Sequence, residues 1–94
     1  MSLIKSRLTD FLEVVDSELE DTITLVAAGG TALTLLDLKP STIDVDFTGP
    51  VKSLGKLKAV LDRLWPGFRV VYKMVNDNIV IVIFYPVKRK RFNV

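Results

Sequence analysis

Residues 25–47 constrain the fold of this chain more than any other segment; they read L-V-A-A-G-G-T-A-L-T-L-L-D-L-K-P-S-T-I-D-V-D-F. The apolar character of residues 23–28 predicts a buried strand, which Gly29 and Gly30 interrupt. Residues 31–36 then predict a short helix with almost no polar side. Glycine lets backbone N–H groups approach a bound group closely, and a helix start adds its positive dipole end. This turn is therefore typical of a phosphate-binding loop.

A second strand, which carries two acidic residues, follows that helix. Lys39 and the three residues after it predict a loop, because the proline at position 40 biases its predecessor away from helix. Residues 43–48 predict the strand and include Asp44 and Asp46. Residues two apart on a strand point to the same face, with Cα atoms about 6.5 Å apart. Two carboxylates at that separation can share a divalent cation.

The rest of the chain predicts two longer helices and a hairpin. Apolar residues at helical spacing predict helices over 3–20 and from the Gly-Pro pair at 49 to residue 64. Residues 68–75 and 79–85 predict strands joined at Asn76-Asp77-Asn78, since these residue types tolerate the positive φ of tight turns. The order α-β-α-β-α-β-β predicts one α+β domain over 1–94, with a mixed four-stranded sheet and helices packed on it.

The last predicted strand bears on oligomeric state. Residues 79–84 are apolar without alternation, which predicts burial of both faces of that strand. With three predicted helices available, we expect part of the cover to come from another chain. The sequence therefore predicts a homodimer or a complex with a partner protein.

Composition narrows the chemistry. The chain has 94 residues with a net charge of +2 and contains neither cysteine nor histidine. Disulfides, thiolate chemistry and histidine bases are thereby excluded, and a metal ion must be bound by oxygen, which favours magnesium, manganese or calcium. The longest apolar run is far too short to span a bilayer, and charged residues interrupt the amino terminus. We therefore expect a cytoplasmic protein with no membrane partner.

Residues 88–91 form a basic run, K-R-K-R, within a predicted basic tail at 86–94. Four adjacent cations suit a phosphate backbone or an acidic partner. They equally suit a solvated chain terminus. The sequence leaves both interpretations open.

The motif G-G-T-A-L after one strand and D-V-D-F after the next resembles the nucleotidyltransferase superfamily, whose fold is that of DNA polymerase beta. The pattern G-G-T-A-L…P-S-T-x-D-x-D is similar to short prokaryotic members, among them the nucleotidyltransferase-like toxins of abortive-infection and toxin–antitoxin pairs. The resemblance implies transfer of a nucleoside monophosphate from a nucleoside triphosphate to a hydroxyl acceptor such as RNA or protein. It implies Mg²⁺, or Mn²⁺, as the cofactor.

The resemblance also implies roles for individual residues. Asp44 and Asp46 are the implied metal ligands and catalytic residues. Backbone amides of Gly29 and Gly30, with the Thr31 hydroxyl, are implied to hold the phosphates. Lys39 and Thr42 flank the second strand, and the resemblance implies that they reach phosphate or the acceptor. The alternative interpretation is that Lys39 is a surface lysine and that Thr42 only leads into the strand.

One departure from the family pattern puts turnover in question. Active members usually supply a third carboxylate from a later strand, whereas the candidate strands here read F-R-V-V-Y-K-M-V and I-V-I-V-I-F-Y. Asp77 lies in the predicted turn, where Asp is a common turn former. Either the domain is a degenerate nucleotidyltransferase that acts as a nucleotide-binding or interaction module, or the missing acid comes from elsewhere.

Four residues of the short helix are expected to fill the core: Ala32, Leu33, Leu35 and Leu36.

Overall fold

The computed structural model describes residues 3–88 of the 94-residue chain. No helix in that range is long and apolar enough to cross a membrane. The predicted basic tail begins inside the last strand, and its residues 89–94 lie outside the described part. The elements are α1 (Lys5–Glu18), α2 (Gly29–Leu35), α3 (Leu54–Leu64), β1 (Leu3–Ile4), β2 (Val26–Ala27), β3 (Ser41–Thr42), β4 (Val45–Pro50), β5 (Phe68–Met74) and β6 (Ile79–Lys88).

Four of the strands form one sheet in the order β2-β4-β6-β5, and β1 pairs with β3 in a separate two-stranded sheet. Every pairing in the described range is antiparallel. The predicted α+β class, with a four-stranded sheet and packed helices, is confirmed; the sheet is antiparallel rather than mixed. The predicted hairpin is also confirmed, because Asn76 Oδ1 accepts the backbone N–H groups of Asn78 and Ile79 between β5 and β6.

Helices α1 and α3 cover one face of the four-stranded sheet. On that face Val45 and Phe47 of β4 lie opposite Phe84 and Val82 of β6, and all four side chains are buried. Removing apolar surface from water stabilises this layer by about 25 cal/mol per Å². The two helices supply further buried residues of the same cluster: Leu8, Phe11, Val15, Leu57, Val60 and Leu61.

The opposite face of the sheet holds no fully buried side chain among the described residues, and we call it the open face. The predicted burial of both faces of the last strand included cover from another chain and stays a prediction, since among residues 3–88 of this chain only the helix side is covered. Residues on the helix side of β6 are buried, whereas Ile81 and Ile83 on the open face are half-buried. The open face comprises Val26, Asp46, Thr48, Arg69, Val71, Lys73, Ile81, Ile83 and Tyr85.

The small sheet of β1 and β3 differs from prediction at both strands. Leu3 and Ile4 were expected inside the first helix, yet they pair with Thr42 and Ser41 in a segment expected to be loop. Short strands of this kind are set by tertiary pairing, which no local pattern records. The pairing ties the residues just before Asp44 to the start of α1.

The strands that flank the diglycine are also displaced from prediction. The expected strand at 23–28 contracts to β2, an edge strand whose Val26 is 60% exposed on the open face. The expected helix start at Gly49 and Pro50 is wrong, because both residues end β4. A Cβ on Gly49 would lie 2.7 Å from Leu25 Cδ2, so a larger residue there would displace the end of the Leu25 side chain. A 3₁₀ turn, Val51–Ser53, then leads into α3.

We expect Leu61→Ala to lower the free energy of unfolding by about 2–5 kcal/mol, because it removes buried methyl groups and leaves a cavity. Leu61 is 1% exposed, whereas Leu38 is 72% exposed, so Leu38→Ala is a control with the same chemical change. The control is expected to stay within about 0.5 kcal/mol of the wild type. Urea denaturation followed by circular dichroism measures both, and equal losses would contradict the assigned core.

Candidate functional site

A buried hydroxyl fixes the backbone that carries the two aspartates. Thr31 Oγ1 accepts the backbone N–H of Asp46 at 2.8 Å and donates to the carbonyl oxygen of Asp44 at 3.1 Å. Thr42 Oγ1 donates to the same Asp44 carbonyl at 2.9 Å. The Thr31 and Thr42 side chains are 1% and 2% exposed. Both hydroxyls therefore hold the aspartate backbone in place and point away from solvent.

The diglycine lies directly against this backbone. The peptide N–H of Ala28 donates to the Asp46 carbonyl at 3.0 Å, and α2 begins at the next residue, Gly29, with φ +54°. A Cβ on Gly29 would lie 3.4 Å from Asp46 Oδ2. A Cβ on Gly30 would lie 2.9 Å from Thr42 Oγ1, too close without movement. Glycine at both positions permits this close approach.

The first turn of α2 presents backbone donors beside the aspartates. The first intrahelical bond runs from Ala32 N–H to the Ala28 carbonyl, so the amides of Gly29, Gly30 and Thr31 precede it. The ammonium of Lys39 lies near the same turn, 3.5 Å from the position of a Gly30 Cβ. The site therefore combines backbone N–H groups, one cation and two carboxylates.

Asp46 is the electrostatically strained member of the site. Its Oδ1 is buried and has no hydrogen-bond partner within the described residues. Burial raises the pKa of Asp46 above its usual range, and the negative charge of Asp44 raises it further. Asp44 lies just before β4 rather than inside it, so strand alternation does not place it on the same face as Asp46. The evidence that the two carboxylates lie close together is the effect of the Asp44 charge on the pKa of Asp46. A nearby cation would favour the ionised form of Asp46.

The carboxylate pair fits an oxygen-bound divalent cation, because it supplies two anionic ligands and one orphaned oxygen. Within residues 3–88, no group of three or more acidic, histidine or cysteine side chains is positioned to hold a metal ion. The register of β4 and β6 places Ile83 directly opposite Asp46. An aliphatic side chain thus occupies the neighbouring position on the open face.

The buried side of α2 differs from the prediction. Leu33 and Leu36 were expected to fill the core, yet they are 42% and 67% exposed, while Thr31 and Thr34 are each 1% exposed. Thr34 Oγ1 donates to the Gly30 carbonyl at 2.7 Å, so its burial leaves no polar atom unpaired. The available signal was the spacing of the two threonines, three apart on one helix face directly after the diglycine.

The aromatic residues divide between the core and the open face. Phe84 contacts Trp65 and Phe68, with ring centroids 5.3 Å and 5.7 Å apart, and Trp65 and Phe68 pack against the buried core. Tyr85 lies instead on the open face, half-buried, with the Arg69 guanidinium 4.7 Å from its ring centroid. A cation–π contact of this kind contributes about 0.5–1 kcal/mol at an exposed site.

The seven residues predicted from sequence lie together at this edge of the sheet: Gly29, Gly30, Thr31, Lys39, Thr42, Asp44 and Asp46. Comparisons of the chain with protein-family models, with curated proteins and with solved structures each found no match. The geometry of the site is therefore the basis for any assignment of function.

We expect Thr31→Val to destabilise the fold by about 1–3 kcal/mol, because an isosteric methyl leaves the buried Asp46 N–H without its partner and leaves the Asp44 carbonyl with the Thr42 hydroxyl alone. Thr31→Ser, which keeps the hydroxyl, should recover most of that loss. Thr9→Val is the matched control, since the Thr9 hydroxyl is exposed on α1. Chemical denaturation measures all three, and a Thr31→Val stability equal to that of Thr9→Val would contradict the bridging role.

Asp46 should make folding stability depend on pH. Its pKa is raised in the folded chain above the ordinary value of 3.8, so the folded state binds this proton more tightly than the unfolded state. That contribution is fully present below the unfolded pKa and is lost as pH rises through the folded pKa. Without divalent cations, Asp46→Asn should therefore unfold at a higher temperature than the wild type at neutral pH.

This difference between Asp46→Asn and the wild type should disappear below pH 3.8, where both side chains are neutral. Thermal unfolding followed by circular dichroism measures it across the acidic and neutral range. Asp77→Asn provides the control, because Asp77 is exposed in the β5–β6 turn. A melting temperature of Asp46→Asn below that of the wild type at neutral pH would contradict the electrostatic account.

Proposed function

We propose that the chain binds a nucleoside triphosphate through a divalent cation and transfers its nucleoside monophosphate to a hydroxyl acceptor. The observation that carries the proposal is the buried Oδ1 of Asp46, which has no hydrogen-bond partner among residues 3–88 and lies beside Asp44 and the diglycine turn. A buried carboxylate oxygen without a partner is unfavourable, and a bound cation supplies the missing interaction.

Each side of the site serves one part of the ligand. The carboxylates of Asp44 and Asp46 would hold Mg²⁺ or Mn²⁺, which prefer oxygen ligands. The amides of Gly29 and Gly30 and the Lys39 ammonium would bind phosphate oxygens by hydrogen bonds and charge. Two further residues act as positioning residues, because their hydroxyls are already bonded to the aspartate backbone; they are Thr31 and Thr42.

The proposed reaction is a displacement at the α-phosphorus. The acceptor oxygen forms a bond to that phosphorus, the bond from phosphorus to the bridging oxygen of the β-phosphate breaks, and pyrophosphate leaves with the electron pair. The acceptor proton is released to water. When bound, the cation neutralises charge on the phosphates and on the leaving group. The diglycine amides and Lys39 orient the phosphates for attack in line with the leaving oxygen.

A second candidate keeps the nucleotide site and omits turnover. Ile83 stands opposite Asp46, where a further carboxylate would be needed to bind a second cation or to accept the hydroxyl proton. Loss of a general base alone lowers a rate by about 10²–10⁴-fold. In this alternative the domain is a catalytically degenerate nucleotidyltransferase fold that acts as a nucleotide-binding or toxin–antitoxin-type interaction module.

The proposal extends to partners and location. The acceptor is an RNA or a protein hydroxyl, and the protein acts in the cytoplasm. The half-buried aliphatic residues of the open face, Ile81, Ile83 and Val71, support self-association as a homodimer or binding of a partner protein. The molar mass from light scattering at micromolar concentration tests self-association, and a monomer mass contradicts the homodimer.

We expect ATP, GTP, CTP or UTP to bind the purified chain in the presence of Mg²⁺ and not in the presence of a chelator. Asp44→Asn and Asp46→Asn should each weaken that binding by at least about tenfold, the lower limit for removing even a supporting group of a metal site. Isothermal titration calorimetry measures the affinities. Asp77→Asn, which removes one exposed negative charge in the β5–β6 turn, should bind like the wild type.

Turnover separates the two candidates once binding is established. Release of pyrophosphate, together with transfer of label from an α-³²P nucleotide to RNA or protein, supports the transferase. Metal-dependent binding with no pyrophosphate release above that of the double Asp44→Asn/Asp46→Asn variant supports the degenerate module. No binding of any of the four nucleotides contradicts the transferase and any nucleotide-binding role, and it leaves only the interaction module of the second candidate.

A further inference from the structure

We infer that the site holds one divalent cation per chain, shared between the carboxylates and the bound triphosphate, rather than a pair of cations. The inference rests on the proposed function and concerns the chemistry that its site permits. It follows from what surrounds the Asp46 carboxylate on every neighbouring strand, which can be read from the register of the sheet.

On the β6 side, the residue opposite Asp46 is Ile83, whose side chain cannot bind a metal ion. Asp46 and Ile83 are directly opposite in an antiparallel pair, and the Cβ atoms of such residues lie about 4.5–5.5 Å apart. Diagonal neighbours on the same face lie about 7–8 Å away, and these are Ile81 and Tyr85. The β6 strand therefore brings two aliphatic side chains and a phenol to this face, and no carboxylate.

In the part of the chain that the structure describes, the other neighbours of Asp46 supply no further anionic ligand. On the β2 side the adjoining residues are Ala28 and Gly29, which carry no side-chain oxygen. The Thr31 and Thr42 hydroxyls are buried and bonded to the aspartate backbone. Lys39 adds a positive charge near the diglycine, which opposes the binding of a second cation.

The number of ligands then favours one cation. Paired cations in two-metal sites lie about 3.5–4 Å apart, and each needs protein ligands of its own. Asp44 and Asp46 would hold one divalent cation, which would take its remaining oxygen ligands from phosphate and water. A second cation near Asp46 would find Ile83 at the position where its own ligand should be.

The stoichiometry of Mn²⁺ tests the inference directly. Equilibrium dialysis with a non-hydrolysable nucleoside triphosphate analogue counts the Mn²⁺ and the analogue retained by the chain. We expect one Mn²⁺ per bound analogue for the wild type. Ile83→Asp places a carboxylate opposite Asp46 and should raise the count to two, with Mn²⁺–Mn²⁺ coupling visible in the electron paramagnetic resonance spectrum.

Val71→Asp is the matched control. Val71 is also β-branched, half-buried and on the open face, and it lies directly opposite Ile83 on β5. It is therefore two strands from Asp46, about 9–10 Å away, too far to share a cation with it. The control should retain one Mn²⁺ per bound analogue, and circular dichroism verifies that both variants are folded.

The outcomes separate this inference from the function on which it rests. Two Mn²⁺ per bound analogue in the wild type would overturn the single-cation inference and leave metal-dependent nucleotide binding intact. A second Mn²⁺ in Val71→Asp as well as in Ile83→Asp would overturn the register argument. Analogue bound without Mn²⁺, or not bound at all, would contradict the proposed function itself. The wild-type count decides the question even where a variant fails to fold.

Discussion

The rest of the site depends on the hydroxyl of Thr31, which joins the first turn of α2 to the backbone of residues 44–46. This one buried oxygen accepts the Asp46 N–H and donates to the Asp44 carbonyl. These backbone groups lie at the start of β4, where the neighbouring strand does not bond to them. The Thr31 side chain therefore supplies their hydrogen-bond partner. The bond fixes the distance between the diglycine and the carboxylates, and the short β1–β3 ladder holds the preceding residues from the other side.

Helices pack on one face of the four-stranded sheet, which leaves the candidate site accessible from the other face. The same packing limits which side chains lie beside Asp46. Helices α1 and α3 cover the face that carries Val45, Val82 and Phe84, so alternation along β4 sends Asp46 to the open face. Alternation along β6 sends Ile83 to that face as well. The arrangement therefore places the Asp46 carboxylate beside the first turn of α2 and also places the Ile83 side chain beside it.

Functional sites commonly hold interactions that lower folding stability, and this one fits the pattern. Burial and the neighbouring Asp44 raise the pKa of Asp46, while its Oδ1 lacks a partner within the described residues. Gly29 adopts a positive φ that other residues rarely adopt. These features have a common physical resolution, since a cation beside the carboxylates and an anion beside the α2 amides would satisfy the charges and donors that the folded chain leaves open.

The sequence by itself determined the α+β class, the two main helices, the β5–β6 hairpin and the residues that meet at the site. Each of these has a local cause: apolar periodicity, turn-forming Asn76–Asn78, or glycine next to a strand. Tertiary structure alone decided which faces are buried and where the short strands pair. Thr31 and Thr34 are buried while Leu33 and Leu36 are exposed, because tertiary packing sets which side of α2 faces inward, and each buried hydroxyl finds a backbone partner there. The ladder alone set Ile83 opposite Asp46, since register depends on pairing between segments far apart in the chain.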